Sequence, residues 1–310
     1  MTNSLNAFPN IIVIMKTYNG SKYVIEQVDS IMNQKDVNTY LYISDDGSND
    51  DTVSKIYSLK TKYKNIFLIA NHEGEGPAMG FLNIVKYVVD NVQISDYFIA
   101  YADQDDVWYS HKLITAVTNL NEHKADLFLS TYDVSSSKQS FVRDMGYDIP
   151  ITVERVLAYW CPSGNVFVFN RQLALAVAST NPKRLRMHDF WTLLVAISGG
   201  YKIVTLNKPL LMYRLHENNT VGLNKIGLSY FKNLFFSLKN NRNIRSLQAT
   251  ELLKQESEII KNEEVLQKIE KFSQYQYHLS QRIELSQLKI LGMNNLQKVL
   301  FKVSTLLGVF

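Results

Sequence analysis

Three carboxylates crowd the stretch YADQDDVW at residues 101–108, where Asp103, Asp105 and Asp106 follow the apolar run YFIAYA and precede Trp108. Like charges this close raise one another's pKa, so the cluster calls for a cation. Carboxylate oxygens suit a hard divalent ion, Mg2+ or Mn2+, and Mg2+ takes much of its shell from water and substrate phosphates. An Asp-x-Asp after a strand therefore suits a diphosphate clamp. A solvated acidic loop has the same composition.

Other candidates lie at similar boundaries. Thr17, Tyr18 and Asn19 follow the first apolar run, and Asp45, Asp46, Gly47 and Ser48 follow the second. Asp45 or Asp46 can accept hydrogen bonds from a base or ribose, and Tyr18 can lie against the base. A turn accounts for DDGS equally well, and a half-buried aromatic is the bland reading of Tyr18. In RMHDFW, His188 and Asp189 open an apolar helix. Asp189 there is either a cap or a general base that takes a proton from an attacking hydroxyl. In YRLHENNTVG, Arg214 suits a phosphate, and His216 suits either a metal shell or a structural role. Neither GxxxxGK[ST] nor GxGxxG follows the first strand, so a bound nucleotide must have its charge met by a metal.

The elements that position these residues alternate. NIIVIMK and YLYIS are β-rich runs, and between them SKYVIEQVDSIMNQ sets Val24, Val28 and Ile31 at helical spacing. TVSKIYSLKTKY and GFLNIVKYVVDNV continue as helices, NIFLIAN and DYFIAYA as strands. Alternation of this kind predicts an α/β fold with a mostly parallel sheet covered on both faces, and ligands then bind beyond the carboxyl ends of the strands. From 125 to 222 the pattern is mixed: ADLFLSTYDV and CPSGNVFVFN read as strands, RQLALAVAS and HDFWTLLVAISGG as helices, and YKIVTLNKPLLMYRLH as an extended segment broken by Pro209. Beyond 222 the strands stop, which predicts a catalytic domain over 1–222 and a helical region over 223–310.

Charge divides the same way. Residues 1–222 carry 20 Lys and Arg against 22 Asp and Glu, whereas residues 223–310 carry 13 against 7. QKVLFKVSTLLGVF sets Val299, Leu300, Val303, Leu306 and Leu307 along a stripe flanked by Lys298 and Lys302, suited to an anionic membrane surface or to a homodimer interface. No window is apolar enough to span a membrane, the opening residues lack a basic leader, and Cys161 is the single cysteine, so the expected location is cytoplasmic, at most peripheral at the inner membrane face.

The motif order TYNGSKYVIEQVDSIMNQ, YISDDGSNDDT, GPAMGFLNIV, YADQDDVW, MHDFW and YRLHENNTVG resembles family 2 glycosyltransferases of the GT-A fold, especially the bacterial rhamnosyltransferase-like branch, over residues 10–222. The resemblance implies that Thr17, Tyr18, Asn19, Asp45, Asp46 and Asp103 hold the nucleoside. It makes Asp103 and Asp105 the Asp-x-Asp motif, which with His216 forms the metal set; of the three acids Asp105 is the one expected to touch the ion directly, with Asp103 toward the ribose. Asp189 matches the family's catalytic base. Asp106, Trp108, Gly164, Asn165, His188 and Arg214 then fall around the diphosphate or the acceptor.

Two positions depart from the family pattern. Gly80 stands where many relatives have asparagine, and Glu217 replaces the usual glycine. The QxxRW signature of processive synthases is absent, which implies one sugar per encounter. The expected activity is inverting, metal-dependent transfer of a sugar, rhamnose first, from a dTDP- or UDP-linked donor to a lipid-linked or surface glycan, with no nucleic-acid partner. A UDP-hexose donor, or a non-catalytic nucleotide-sugar-binding module, is the alternative.

Overall fold

The computed structural model describes residues 8–70, 76–135, 140–216, 244–255 and 259–309. The expected boundary at 222, the departure at Glu217 and the helical reading of SYFKNLFFSLK lie outside the described residues.

The first half is the expected alternation. Strands β1 (Asn10–Thr17), β2 (Asn38–Asp45), β3 (Ile66–Leu68) and β4 (Phe98–Ala102) are interleaved with helices α1 (Val24–Met32), α2 (Thr52–Lys62) and α3 (Gly76–Asn91). They pair in parallel in the order β3-β2-β1-β4. Ile11 to Met15 on β1 are wholly buried, as a parallel strand covered on both faces requires. In register, Thr17 lies opposite Asp45 and Met15 opposite Ala102, so the polar residues after β1, β2 and β4 emerge at one edge of the sheet.

The second half extends the sheet with mixed pairing. β5 (Val107–Trp108), α4 (Lys112–His123), β6 (Leu127–Ser135), β7 (Ser140–Val142), α5 (Val153–Ala158), β8 (Phe167–Asn170), α6 (Arg171–Ser179), α7 (His188–Ser198) and β9 (Ile203–Arg214) follow in chain order. β8 runs antiparallel to both β4 and β6, while β9 runs parallel to β6. Two expectations change here. CPSGNVFVFN is strand only from Phe167, because Gly164–Val166 form a 3-10 turn. Pro209 does not end β9; the register with β6 shifts between Ser130 and Thr131, and that irregularity accommodates a residue with no amide proton.

β5 is the element the pattern did not announce, and it matters most for the site. Val107 and Trp108 pair antiparallel with Met212 and Leu211 of β9, which brings the acidic loop against the residues that follow β9.

Helices α8 (Ile244–Leu253), α9 (Glu263–Gln274), α10 (Leu279–Ser286) and α11 (Asn295–Leu306) complete the described chain. Asn262 caps α9, and Asn294 with Gln297 forms a capping box on α11. Ala249, Leu252, Ile269, Phe272, Tyr275, Leu285, Ile290, Met293 and Phe301 join the same continuous core as the sheet. Tyr159 donates to the Leu291 carbonyl at 2.9 Å, and Lys268 pairs with Glu154 at 2.8 Å. No helix among the described residues is long and apolar enough to cross a membrane.

Candidate active site

The acidic loop is held by polar side chains of α1 and of the turn that follows it. Gln27, wholly buried, donates to the Asp103 carbonyl at 2.7 Å; Ser30 accepts from the Trp108 amide at 3.0 Å; Gln34 donates to the Tyr109 carbonyl at 2.9 Å. These residues recur at helical spacing alongside Val24, Val28 and Ile31, so one helix packs the core and pins the loop. Gln104 then clasps the β1 loop, accepting from the Tyr18 amide and donating to its carbonyl, each at 3.0 Å.

The three acids take different positions. Asp105 lies 2.7 Å from His216 Nε2, and the imidazole stacks on Tyr23 at 4.9 Å between ring centroids. Asp103 is half-buried, and burial, then the charges of Asp105 and Asp189, push its carboxyl up. Asp106 is fully buried and accepts from Asn165 Nδ2 at 2.5 Å. Burial and the neighbouring Asp103 and Asp105 raise its pKa, so it is an anchor under the loop, out of reach of solvent. Trp108 is likewise buried, with the Lys112 amine 4.4 Å from its ring centroid. Arg214 pairs with Glu26 at 2.5 Å over the outer face of Tyr23.

Around the first two strand ends, Asp45 is saturated by its own surroundings. It accepts from Thr17 Oγ1 and Ser48 Oγ, both at 2.6 Å, and from the Gly47 and Ser48 amides at 3.0 and 2.7 Å. Asn19 adopts a left-handed φ of 48° and accepts from the Asn49 amide at 2.8 Å, locking the two loops together. Asp46 pairs with Lys16, a residue not singled out in the sequence. The end of the Lys16 side chain lies against Gly80, close to where a Cβ would stand. Tyr18 is 52% exposed and free to take a stacking partner.

The start of α7 packs against Phe81, Tyr101 and the turn at Gly164. Asp189 is buried, accepts from the Phe190 amide at 2.6 Å, and has its carboxyl pushed up to about 6 by burial. His188 stacks on Phe81 at 3.7 Å and meets Tyr101 edge-on at 4.7 Å, and burial holds its pKa down at about 3, so the ring is neutral. A Cβ on Gly164 would stand 2.5 Å from His188 Nε2 and 3.4 Å from Asp189 Cβ. Asn165 therefore ties the acidic loop to the turn whose glycine admits His188 and Asp189. The family model described as Glycosyl transferase family 2 matches residues 12–172.

The chain belongs to glycosyl transferase family 2. The dTDP-rhamnosyl transferase RfbG of Shigella flexneri is 29% identical over 231 residues, covering 68% of this chain and 74% of the relative. WfgD of Escherichia coli, a UDP-Glc:alpha-D-GlcNAc-diphosphoundecaprenol beta-1,3-glucosyltransferase, is 27% identical over 122 residues, 39% of this chain and 45% of the relative. Among solved structures, S. aureus TarS 1-349 in complex with UDP-GlcNAc superposes with a TM-score of 0.59 at 17% identity, covering 97% of this chain and 82% of that one. At that identity the likeness speaks for the GT-A fold alone.

In this glycosyltransferase Thr17 meets Asp45, Asp105 meets His216, and the buried Asp106 is bonded to Asn165, whose neighbour Gly164 packs against His188 and Asp189. Gln27, Gln104 and Lys16 are the supporting residues that sequence reasoning passed over. Only for Gln27 was there a signal, a glutamine on the buried side of an otherwise apolar helix face.

Proposed function

We propose that this glycosyltransferase moves a single sugar, rhamnose first among candidates, from a dTDP- or UDP-linked donor to a glycan hydroxyl, with inversion and with a divalent ion. The observation that carries the reading is that Asn165 ties the buried Asp106 of the acidic loop, at 2.5 Å, to the turn whose Gly164 packs against His188 and Asp189. A carboxylate held near the acidic loop suits a base that activates a hydroxyl for attack from the side opposite the departing diphosphate.

Asp105 and His216 fit Mg2+ or Mn2+: a carboxylate and an imidazole nitrogen converge at 2.7 Å beside a second acid whose pKa is already raised. Among the described residues no group of three or more His, Cys, Asp or Glu forms a ready cluster. When bound, the ion neutralises charge on the departing diphosphate. Tyr18 stacks on the base and Asp46 hydrogen-bonds to it, while Asp45, already saturated, shapes the loop. Arg214, paired with Glu26, supports Tyr23 and His216.

A panel of dTDP-, UDP- and GDP-sugars tests this by thermal shift and donor hydrolysis, with and without Mg2+ or Mn2+. The expected result is stabilisation by a dTDP- or UDP-sugar only when metal is present. No shift with any donor in metal sinks the reading. A UDP-hexose that outperforms dTDP-rhamnose redirects the sugar assignment, in keeping with the glucosyl donor in the name of WfgD.

The acceptor reading extends to the membrane. Val299, Val303 and Leu307 are 58%, 48% and 65% exposed on α11, with Lys298 and Lys302 exposed beside them. An apolar stripe flanked by lysines suits an anionic bilayer surface that would carry a lipid-linked glycan. The intact chain is expected to float with phosphatidylglycerol vesicles, and a Val299→Asp, Val303→Asp, Leu307→Asp variant to stay at the bottom of the gradient. Equal flotation removes the membrane contact; a mass that halves in the variant assigns the stripe to a homodimer instead.

A further inference from the structure

Gln104 stands between Asp103 and Asp105, the two acids of the Asp-x-Asp motif, yet its side chain serves a different loop. Its amide reaches the residues after β1, where Oε1 accepts from the Tyr18 amide and Nε2 donates to the Tyr18 carbonyl, each at 3.0 Å. One side chain thus engages both main-chain groups of one residue, as a neighbouring strand would. The close approach depends on Gly20, where a Cβ would stand 2.5 Å from Gln104 Cδ.

The acidic loop has supports of its own, in Gln27 at the Asp103 carbonyl, Ser30 at the Trp108 amide and Asn165 at the Asp106 carboxylate. In the loop after β1, Asn19 donates its amide to Ser48 Oγ and Gly20 donates its amide to Thr52 Oγ1, both at 2.8 Å. Those bonds tie residues 19 and 20 to the loop after β2 and to the start of α2. The Tyr18 backbone is tied to the acidic loop instead, through Gln104, while the residue as a whole stays 52% exposed. The anchored acidic loop is therefore the frame, and Gln104 carries that frame to Tyr18.

A nucleoside diphosphate carries its base and its phosphates on one short covalent link. A site that meets both ends gains fully from that link only when its two contacts already stand at the matching span; otherwise binding must first order one of them. Gln104 is one residue from Asp105 along the chain and is bonded to the Tyr18 backbone at its other end. Its length sets the span between the acidic loop and the tyrosine.

We infer that Gln104 is a positioning residue for the donor, fixing Tyr18 relative to Asp105 so that base and diphosphate are met together. The inference rests on the reading in which Tyr18 stacks on the base and Asp105 serves the ion. It adds that the residue between the two acids acts on donor affinity through the tyrosine ring, and that Gly20 makes room for it.

Calorimetric titration of the full chain with dTDP, and in parallel with UDP, in excess Mg2+ tests this through a double-mutant cycle. Gln104→Ala is expected to bind the preferred nucleotide about fivefold more weakly, the scale of ordering one side chain at binding. Tyr18→Ala should lose more, and adding Gln104→Ala to it should lose nothing further, because the ring that Gln104 positions is gone. Gly20→Ala perturbs the same contact from the other side: Gly20 has no positive φ, so the backbone accepts alanine, and the added methyl displaces the Gln104 amide. Its affinity should match that of Gln104→Ala. Melting temperatures of the unliganded variants are measured alongside, since a role in folding alone would lower them and would cost the same affinity with or without the Tyr18 ring. Wild-type affinity in Gln104→Ala, or a loss of equal size in the Tyr18→Ala background, overturns the inference and leaves the donor reading intact. Wild-type affinity in Tyr18→Ala, or a wild type that binds neither nucleotide, overturns the donor reading as well.

Discussion

Asp189→Asn is expected to lower sugar transfer by about 10² to 10⁴-fold, the usual worth of a general base, while nucleoside diphosphate affinity stays at the wild-type value. Asparagine keeps the shape of the side chain and can still accept from the Phe190 amide, which reaches Asp189 at 2.6 Å. What it cannot do is take a proton. The pH dependence follows with a definite sign. Burial raises the Asp189 carboxyl to about 6, and the base works only when deprotonated, so kcat/KM climbs as pH rises through about 6 and then levels. The residual activity of Asp189→Asn should lack that acid limb. Steady-state rates over pH 5 to 8, with donor binding measured separately, check both statements; an asparagine variant with wild-type turnover removes Asp189 from the chemistry.

Gly164→Ala should cost about 10²-fold in kcat, the scale of a misplaced catalytic group, with nucleoside affinity little changed. The added methyl would stand 2.5 Å from His188 Nε2 and 3.4 Å from Asp189 Cβ. His188 has little room to yield, since Phe81 stacks on one face at 3.7 Å and Tyr101 closes an edge at 4.7 Å. The turn itself is tied down through Asn165 to Asp106 at 2.5 Å, so the strain falls on the start of α7 and on the base. The loops after β1 and β2 are held to each other through Thr17 with Asp45 and Asn19 with Asn49, so the expected loss falls on kcat. A thermal melt beside the kinetics separates the effects: a variant that melts like the wild type and turns over like it would show that the glycine is there for the chain path alone.

The gap between expectation and structure is instructive at particular residues. Asp103, Asp105 and Asp106 are equivalent in sequence, yet Asp105 faces His216, Asp103 is half-buried and Asp106 lies beneath the loop. A strand pair of two residues on each side, β5 with β9, causes much of that difference. It is too short to leave a periodic signature, and its partner lies more than 100 residues away. Asn19 and Asp45 were read for the nucleoside; in the fold they also carry contacts between the first two loops, Asn19 with the Asn49 amide and Asp45 with Thr17, which the sequence did not show. Gly80, a departure from the family pattern, lies against the end of the Lys16 side chain that pairs with Asp46, a contact that neither residue reveals alone.

By itself the sequence determined the alternation of strands and helices, hence a parallel half-sheet whose polar strand ends share one edge, and it carried the ordered motifs of glycosyl transferase family 2. Those properties are local: burial on two faces writes itself into runs such as NIIVIMK, and turn chemistry into DDGS. Only the tertiary structure decided which acid meets His216, which lies buried against Asn165, and that the C-terminal helices join the same core as the sheet. Each depends on contacts between distant segments, Gln248 with Arg186, Asn165 with Asp106, His216 with Asp105, whose strength comes from burial and geometry that no single stretch of chain contains.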